Sequence, residues 1–96
     1  MSFHHIVLLS FKEDTTDEQK KTFFSTLDAL KDVPNVISVK HGKNVTDRAK
    51  GFEYGLVVVL KDRQSELDYQ KHDLHIKVLD ALKPIKKDVL AMDFDA

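Results

Sequence analysis

The stretch from Phe52 to Lys61 is apolar on both faces of an extended chain. Val57 and Val59 lie on one face. The opposite face carries apolar or aromatic side chains at alternate positions: Phe52, Tyr54, Leu56, Val58 and Leu60. Because successive side chains of a strand point to opposite sides, the pattern predicts a strand that is covered on both faces. In a chain of 96 residues, the two faces of this strand must be covered by the chain's own helices or by a second molecule.

The first strand is predicted over residues 3–12, where adjacent histidines must point to opposite faces. His4 shares its face with Ile6 and Leu8. The other face consists of Phe3, His5, Val7, Leu9 and Phe11. We expect the His5 face to lie against the helices, because its phenylalanines match a bulky helical stripe. The alternative for His5 is a half-buried strand histidine that satisfies one hydrogen bond.

Two helices are predicted, over residues 16–32 and 65–82. Thr15 and Thr16 are N-cap candidates for the first, which ends before Pro34. Its buried stripe contains Phe23, Phe24, Leu27, Ala29 and Leu30. Ser65 is the N-cap candidate of the second helix. Its buried stripe contains Leu67, Leu74, Val78, Leu79 and Leu82. Further strands are predicted over residues 36–45 and 89–95, with a polar loop over residues 42–51.

The order strand, helix, strand, strand, helix, strand predicts an α+β fold of the ferredoxin-like type. This fold is one four-stranded antiparallel sheet with both helices on one face, and we expect it to form a single domain over residues 1–96. The helices cover only one side of such a sheet. The other side retains an aliphatic patch of Ile6, Leu8, Val57 and Val59. An exposed patch of this kind predicts a homodimer that forms through the sheet face.

Composition excludes several classes of partner. Fifteen basic and sixteen acidic residues give a net charge of -1 without long runs of one sign, so we expect neither nucleic acid nor an anionic membrane as a partner. The chain contains no cysteine, which excludes disulfides and thiolate chemistry. The apolar run near the N-terminus is too short to span a bilayer and has no basic leader. We therefore expect a cytoplasmic protein.

The candidate chemistry lies in the segment from Tyr69 to His75, where a phenol is followed at +3 and +6 by imidazoles. In a helix these positions fall on neighbouring parts of one face, so Tyr69, His72 and His75 are predicted to project toward one region. Imidazole changes charge near neutral pH, which suits acid and base catalysis. A structural role for half-buried Tyr and His is the alternative. A metal site at His72 and His75 is a weaker hypothesis, because no third ligand follows at a suitable spacing.

Several short motifs together resemble the stress-responsive dimeric A/B-barrel family, also called Dabb. The resemblance covers nearly the whole chain. It is carried by the segments His5–Lys12, Gly42–Asn44, Gly51–Phe52 and Tyr69–His75, the last of which commonly runs Tyr-x-x-His-Pro-x-His in the family. The resemblance implies a ferredoxin-like monomer that pairs sheet to sheet in a dimeric barrel with its helices outside. This agrees with the pattern of the apolar faces.

The resemblance also implies a reaction. Plant polyketide cyclases of this family close a poly-β-keto acid by aldol condensation, and residues that match His75 and Tyr69 act as general base and as its partner at the carbonyl. A residue that matches His5 lines the same pocket, which implies a small hydrophobic or polyketide-like ligand and no cofactor or metal. We expect the pocket between sheet and helices to be lined further by Val7, Leu9, Phe23, Leu27, Tyr54, Leu56, Val58 and His72.

The chain departs from the plant cyclases at several positions. Asp73 and Leu74 replace the usual proline and small residue, Leu27 replaces a tyrosine, and Tyr54 replaces a histidine. Two functions therefore stay open. One is a cofactor-free enzyme or enzyme-like pocket for a small carbonyl compound. The other is a non-catalytic stress-associated module that binds something hydrophobic. A related superfamily of cofactor-free monooxygenases fits less well, because it lacks the Tyr-His-His pattern.

Overall fold

The computed structural model describes residues 1–96 as a single sheet with helices on one side. The elements, in chain order, are β1 (Phe3–Phe11), α1 (Asp17–Ala29), a 3₁₀ turn (Leu30–Asp32), β2 (Val36–Lys43), β3 (Tyr54–Leu60), α2 (Arg63–Lys71), α3 (Asp73–Leu82) and β4 (Lys86–Asp95). The strands pair antiparallel in the order β2-β3-β1-β4. This arrangement confirms the predicted ferredoxin-like fold.

The core lies between the helices and one face of the sheet. Val7 and Leu9 of β1 are buried on this face, and β3 contributes Leu56 and Val58 beside them. Phe23 of α1 packs on the sheet and is 1% exposed. The face of β1 that contains His5 therefore faces the helices, as predicted from its bulk. Alternation along β1 positions His5 at the edge of this core.

The start of α1 follows its sequence signal closely. The Thr16 hydroxyl oxygen accepts the N–H of Gln19 at 3.1 Å, and the Gln19 side-chain oxygen accepts the N–H of Thr16 at 2.9 Å. This reciprocal capping box selects Thr16 over Thr15 as the N-cap. The helix becomes a 3₁₀ turn after Ala29, so the predicted helix over 16–32 contains both elements.

Strand ends differ from the predictions by two or three residues. β2 ends at Lys43 and not at residue 45, because the Asn44 side chain accepts the N–H of Thr46 and turns the chain into the loop. β3 begins at Tyr54 and not at Phe52, since the N–H of Phe52 donates to the carbonyl of Ala49 in a turn. β4 begins at Lys86, three residues before the predicted start. Pairing with β1 extends β4 into a polar stretch that hydrophobic alternation does not detect.

The prediction of one continuous helix over residues 65–82 is wrong. The segment forms α2 and α3, separated at His72, whose backbone is extended (φ −70°, ψ 142°). The N-cap of α2 is Asp62 and not Ser65, because the Asp62 carboxylate accepts the N–H of Ser65 at 2.9 Å. Leu67 and Leu79 were expected to be buried but are 39% and 49% exposed. Because of the break, the apolar residues of α2 and α3 do not form one continuous stripe.

The face of the sheet that lies away from the helices is apolar and uncovered. Ile6 pairs with Val57 on one side and with Met92 on the other, and Leu8 pairs with Leu90. Leu90 is 53% and Met92 is 61% exposed. We call this surface the open sheet face: His4, Ile6, Leu8, Val57, Val59, Leu90, Met92 and Phe94. No helix in the structure has the length and apolar character needed to cross a membrane.

Candidate functional site

A cavity of about 220 Å³ lies between the sheet and the helices. Its polar groups are His5 from β1, Tyr69 from α2 and His75 from α3, so the structure brings all three predicted catalytic candidates to one cavity. Five of the predicted pocket residues also line it: Val7, Leu9, Phe23, Leu27 and Leu56. The remaining wall comes from α3 and β4, through Val78, Leu79, Leu82, Val89 and Ala91. The core side chains therefore leave an open, mostly apolar volume.

Three residues expected in the pocket do not line this cavity. Val58 is completely buried in the core and does not contribute to the cavity surface. His72 is the residue at which α2 and α3 separate, and its side chain caps α3. Tyr54 faces the helices as expected, but it is the first residue of β3 and lines a different hollow with Phe11 and Phe24.

Tyr54 is held by a chain of hydrogen bonds that runs through His41 of β2 to Asp28 of α1. His41 Nε2 lies 2.6 Å from a carboxylate oxygen of Asp28, and His41 Nδ1 lies 2.6 Å from the Tyr54 hydroxyl. The carboxylate can only accept, so a neutral His41 carries its proton on Nε2 and accepts the hydroxyl proton of Tyr54 at Nδ1. The Tyr54 ring also stacks on Phe24, with 4.4 Å between ring centroids. These contacts direct Tyr54 away from His75.

His75 has a defined tautomer. Its Nδ1 lies 3.1 Å from the backbone carbonyl oxygen of Gln70. A carbonyl only accepts, so Nδ1 carries a proton and Nε2 of the neutral ring holds the lone pair. Burial lowers the pKa of His75, the Gln70 carbonyl and the Glu66 carboxylate oppose this, and the nearby His5 lowers the pKa further. His75 is therefore a neutral base at pH 7.

Tyr69 lies against both histidines. Its ring centroid is 4.6 Å from that of His75 and 6.2 Å from that of His5. Tyr69 is only 2% exposed, yet it lines the cavity. Burial raises the pKa of its phenol well above the ordinary value of 10.0, and the carboxylate of Glu66 raises it further. The phenol consequently keeps its proton at neutral pH and acts as a hydrogen-bond donor.

His5 is oriented by Asp93, a residue that sequence reasoning missed. The two residues face each other in the antiparallel pair of β1 and β4, and His5 Nδ1 lies 2.5 Å from a carboxylate oxygen of Asp93. The carboxylate accepts, so the lone pair of a neutral His5 is on Nε2, as it is in His75. Strand parity contained a signal for this contact, because residue 93 lies on the face opposite to Met92 and Phe94.

A buried carboxylate near the site was also missed. Glu66 is 4% exposed, and its two carboxylate oxygens accept from Nε2 of Gln70 at 2.6 and 2.9 Å. Gln70 thus holds Glu66 through its side chain and His75 through its backbone carbonyl. The spacing of Glu66 and Gln70, four residues apart on one helix, was the available signal for their contact.

The arrangement combines a neutral imidazole base, a protonated phenol and a second imidazole around an apolar volume. Such a set can remove a proton from carbon or oxygen and stabilise the oxygen on which charge develops. The structure contains no group of three or more His, Asp or Glu side chains arranged to hold a metal ion. The Nδ1 of His72 accepts the N–H of Leu74 at 3.1 Å, so this nitrogen is already used within the protein.

Comparison with known proteins connects the whole chain to one family. The family model for the stress responsive A/B barrel domain, Dabb, matches residues 3–96. Olivetolic acid cyclase from Cannabis sativa is 28% identical over 97 residues, which cover 98% of this chain and 96% of that protein.

Solved structures show the same fold. A dimeric ferredoxin-like protein of unknown function from Thermobifida fusca matches with a TM-score of 0.88 and 23% identity, over 100% of this chain and 92% of its own. The hydroxynitrile lyase from Passiflora edulis matches with a TM-score of 0.88 and 16% identity, over 97% and 91% of the two chains. At these identities the structural likeness concerns the fold alone.

Proposed function

Because this chain belongs to the stress responsive A/B barrel domain family, we propose that it is a cofactor-free enzyme that removes a proton from a small carbonyl compound. The reaction is an aldol-type ring closure of a β-keto compound, with His75 as general base and Tyr69 as hydrogen-bond donor to the substrate oxygen. The similarity to a cyclase at 28% identity supports this reaction class.

The observation that carries the proposal is the hydrogen bond from His75 Nδ1 to the Gln70 carbonyl at 3.1 Å. It leaves the lone pair on Nε2 of a ring that lines an apolar cavity. Burial keeps that ring neutral, because it lowers the pKa of His75. A general base must meet two conditions: it must be unprotonated, and it must lie within hydrogen-bond reach of the acidic proton. His75 meets the first condition through its tautomer and its burial.

The proposed step can be followed atom by atom. His75 Nε2 takes a proton from the carbon between two carbonyl groups, and the electrons of the broken C–H bond form an enolate. The Tyr69 hydroxyl donates a hydrogen bond to the enolate oxygen and stabilises its charge. The carbanion then attacks the carbon of a further carbonyl group in the same molecule, which forms the new C–C bond and converts the π bond of that carbonyl into an alkoxide. The imidazolium of His75 returns the proton to the resulting alkoxide.

The shape of the cavity narrows the substrate class. A volume of about 220 Å³ lies below the range of roughly 300–1,000 Å³ that is usual for drug-sized ligands. Leu79 of α3 and Val89 of β4 line the cavity and are also 49% and 37% exposed, so they form an apolar mouth. We expect the cavity to take a compact poly-β-keto segment, with an alkyl tail along Leu79 and Val89.

We also propose that the protein is a homodimer joined through its open sheet face. Leu90 and Met92 expose apolar surface beside Ile6 and Val57, and such a contiguous apolar face on a small protein marks an interface. The solved relative from Thermobifida fusca is described as dimeric, which supports this assembly. The helices and the cavity lie on the other face of the sheet, so dimerisation leaves the cavity in place.

The test is a panel of short poly-β-keto acids and their thioesters, with product analysis by mass spectrometry and NMR. Wild type is expected to form cyclised product, and His75→Ala is expected to lower kcat by about 10²- to 10⁴-fold. The matched control is His41→Ala, which removes an imidazole that binds Tyr54 and Asp28 and does not line the cavity. Its turnover should stay close to that of wild type.

Two results would contradict the proposed function. Turnover that never exceeds the buffer rate, together with ligand binding to the cavity by NMR, would favour a non-catalytic binding module. Turnover that is equal in wild type and His75→Ala would remove His75 from the mechanism. Circular dichroism of each variant separates these results from a loss of fold.

A further inference from the structure

His72 interrupts the helix that the sequence pattern predicts. α2 ends at Lys71 and α3 begins at Asp73, and His72 between them has extended backbone angles. His72 Nδ1 accepts the backbone N–H of Leu74 at 3.1 Å, so the imidazole serves as the N-cap of α3. This is an unusual use of histidine, because Ser, Thr, Asp and Asn are the common N-cap residues.

The interruption decides what the Gln70 carbonyl binds. In a continuous α-helix the N–H of Leu74 would donate to the carbonyl oxygen of Gln70, four residues earlier. In this structure that N–H donates to the His72 imidazole. The Gln70 carbonyl instead accepts the Nδ1 proton of His75 at 3.1 Å. One hydrogen bond of a regular helix has thus been replaced by two that involve histidine side chains.

We propose that His72 is a positioning residue that acts on His75 through this break. By accepting the N–H of Leu74, His72 keeps the helix interrupted and reserves the Gln70 carbonyl for His75. The carbonyl then holds the proton of His75 on Nδ1 and the lone pair on Nε2. The catalytic meaning of this inference rests on the proposed function of His75, whereas the control of its tautomer does not.

The inference differs from a purely structural role for His72. A residue that only stabilises α3 would change the melting temperature without changing which nitrogen of His75 carries the proton. A residue that controls the break changes the tautomer, because a continuous helix returns the Gln70 carbonyl to the N–H of Leu74. His75 would then lose the acceptor that selects Nδ1–H and would populate the Nε2–H form.

The experiment is NMR of protein with ¹⁵N-labelled histidine, at a pH where His75 is neutral. Two-bond correlations from the ring carbon protons show which nitrogen of each ring is protonated. Wild type is expected to show His75 as Nδ1–H. His72→Ala is expected to shift His75 to a mixture that contains the Nε2–H form. If the alanine variant does not fold, His72→Gln serves in its place, because glutamine has a side chain of similar size and favours a continuous helix. The same shift of His75 toward Nε2–H is expected.

Two rescues make the test specific. His72→Asn supplies a common N-cap acceptor and should restore Nδ1–H at His75. His72→Ala combined with Asp73→Pro should restore it as well, since a proline at the first position of α3 enforces the break without an imidazole. An unchanged Nδ1–H signal in the folded His72→Ala or His72→Gln variant would overturn the proposal. Failure of both rescues in folded protein would do the same.

Kinetics gives a second readout if a substrate is turned over. His72 does not line the cavity, so His72→Ala should lower kcat by about 10- to 100-fold with little change in KM, as for other groups that orient a reactive imidazole. His72→Asn should recover most of the loss. Because the tautomer is measured without substrate, absence of turnover would count against the proposed function and not against this inference.

Discussion

Replacing Ile6 by aspartate is expected to abolish the proposed dimer. Ile6 lies on a central strand, and its cross-strand neighbours on the open sheet face are Val57 and Met92. A carboxylate at this position is surrounded by apolar side chains once a second sheet covers it. Val57 is a less clean choice, because Lys40 pairs with it across β2 and β3 and could neutralise a new charge.

The size of the effect follows from the symmetry of the assembly. Leaving a charge buried without a partner costs about 3–5 kcal/mol. A two-fold dimer buries one carboxylate from each subunit, so dissociation is favoured by about 6–10 kcal/mol per dimer. Since 1.4 kcal/mol changes an equilibrium constant about tenfold, the dissociation constant should rise by roughly 10⁴- to 10⁷-fold. Ile6→Asp is therefore expected to be monomeric at micromolar concentration.

Sedimentation equilibrium over the micromolar range measures this change, with circular dichroism to verify that the monomer is folded. Ile76→Asp is the matched control, because Ile76 lies on α3, is 43% exposed, and faces away from the open sheet face. That variant should remain dimeric. A monomeric wild type, or an Ile6→Asp variant that dimerises as tightly as wild type, would refute the reasoning.

Four further predictions concern the cavity. Burial lowers the pKa of His75 from its ordinary value of 6.5, so kcat/KM should fall on the acid side with an apparent pKa below 6.5; an acid limb at or above 6.5 would contradict this. For the same reason the unfolded chain takes up the proton first as pH falls, and the free energy of unfolding should decrease below pH 6.5, which chemical denaturation at several pH values can measure. Tyr69→Phe keeps the buried ring, so kcat should fall with little change in melting temperature, and an unchanged kcat would exclude the hydroxyl from the mechanism. Leu27 is fully buried in the cavity wall, and Leu27→Ala should cost about 2.7–5 kcal/mol of unfolding free energy while admitting bulkier ligands, as denaturation and ligand titration would show.

Short-range patterns in the sequence determined the layers of this fold. Alternation along β1 and β3 identified the faces that contain Val7 and Leu56, because strand side chains alternate whatever the strand pairs with. The capping signals of Thr15 and Thr16 placed the start of α1 to within one residue, since the hydrogen bonds of a capping box join residues three apart. These signals are local, so they can be found before any tertiary contact is known.

Tertiary structure decided what lies around the cavity. The spacing of apolar residues continues across His72, so periodicity could not show that its imidazole takes the N–H of Leu74 and divides the helix. The pairing of His5 with Asp93 joins residues at opposite ends of the chain and depends on the register of β1 and β4. Tyr54 has the predicted strand face, but a hydrogen bond to His41 on β2 draws it away from the cavity. The His5 and Tyr54 contacts each join two strands, and a pattern read along one strand contains no information about its neighbour. The His72 cap is local, but the sequence did not signal it because histidine is an uncommon N-cap residue.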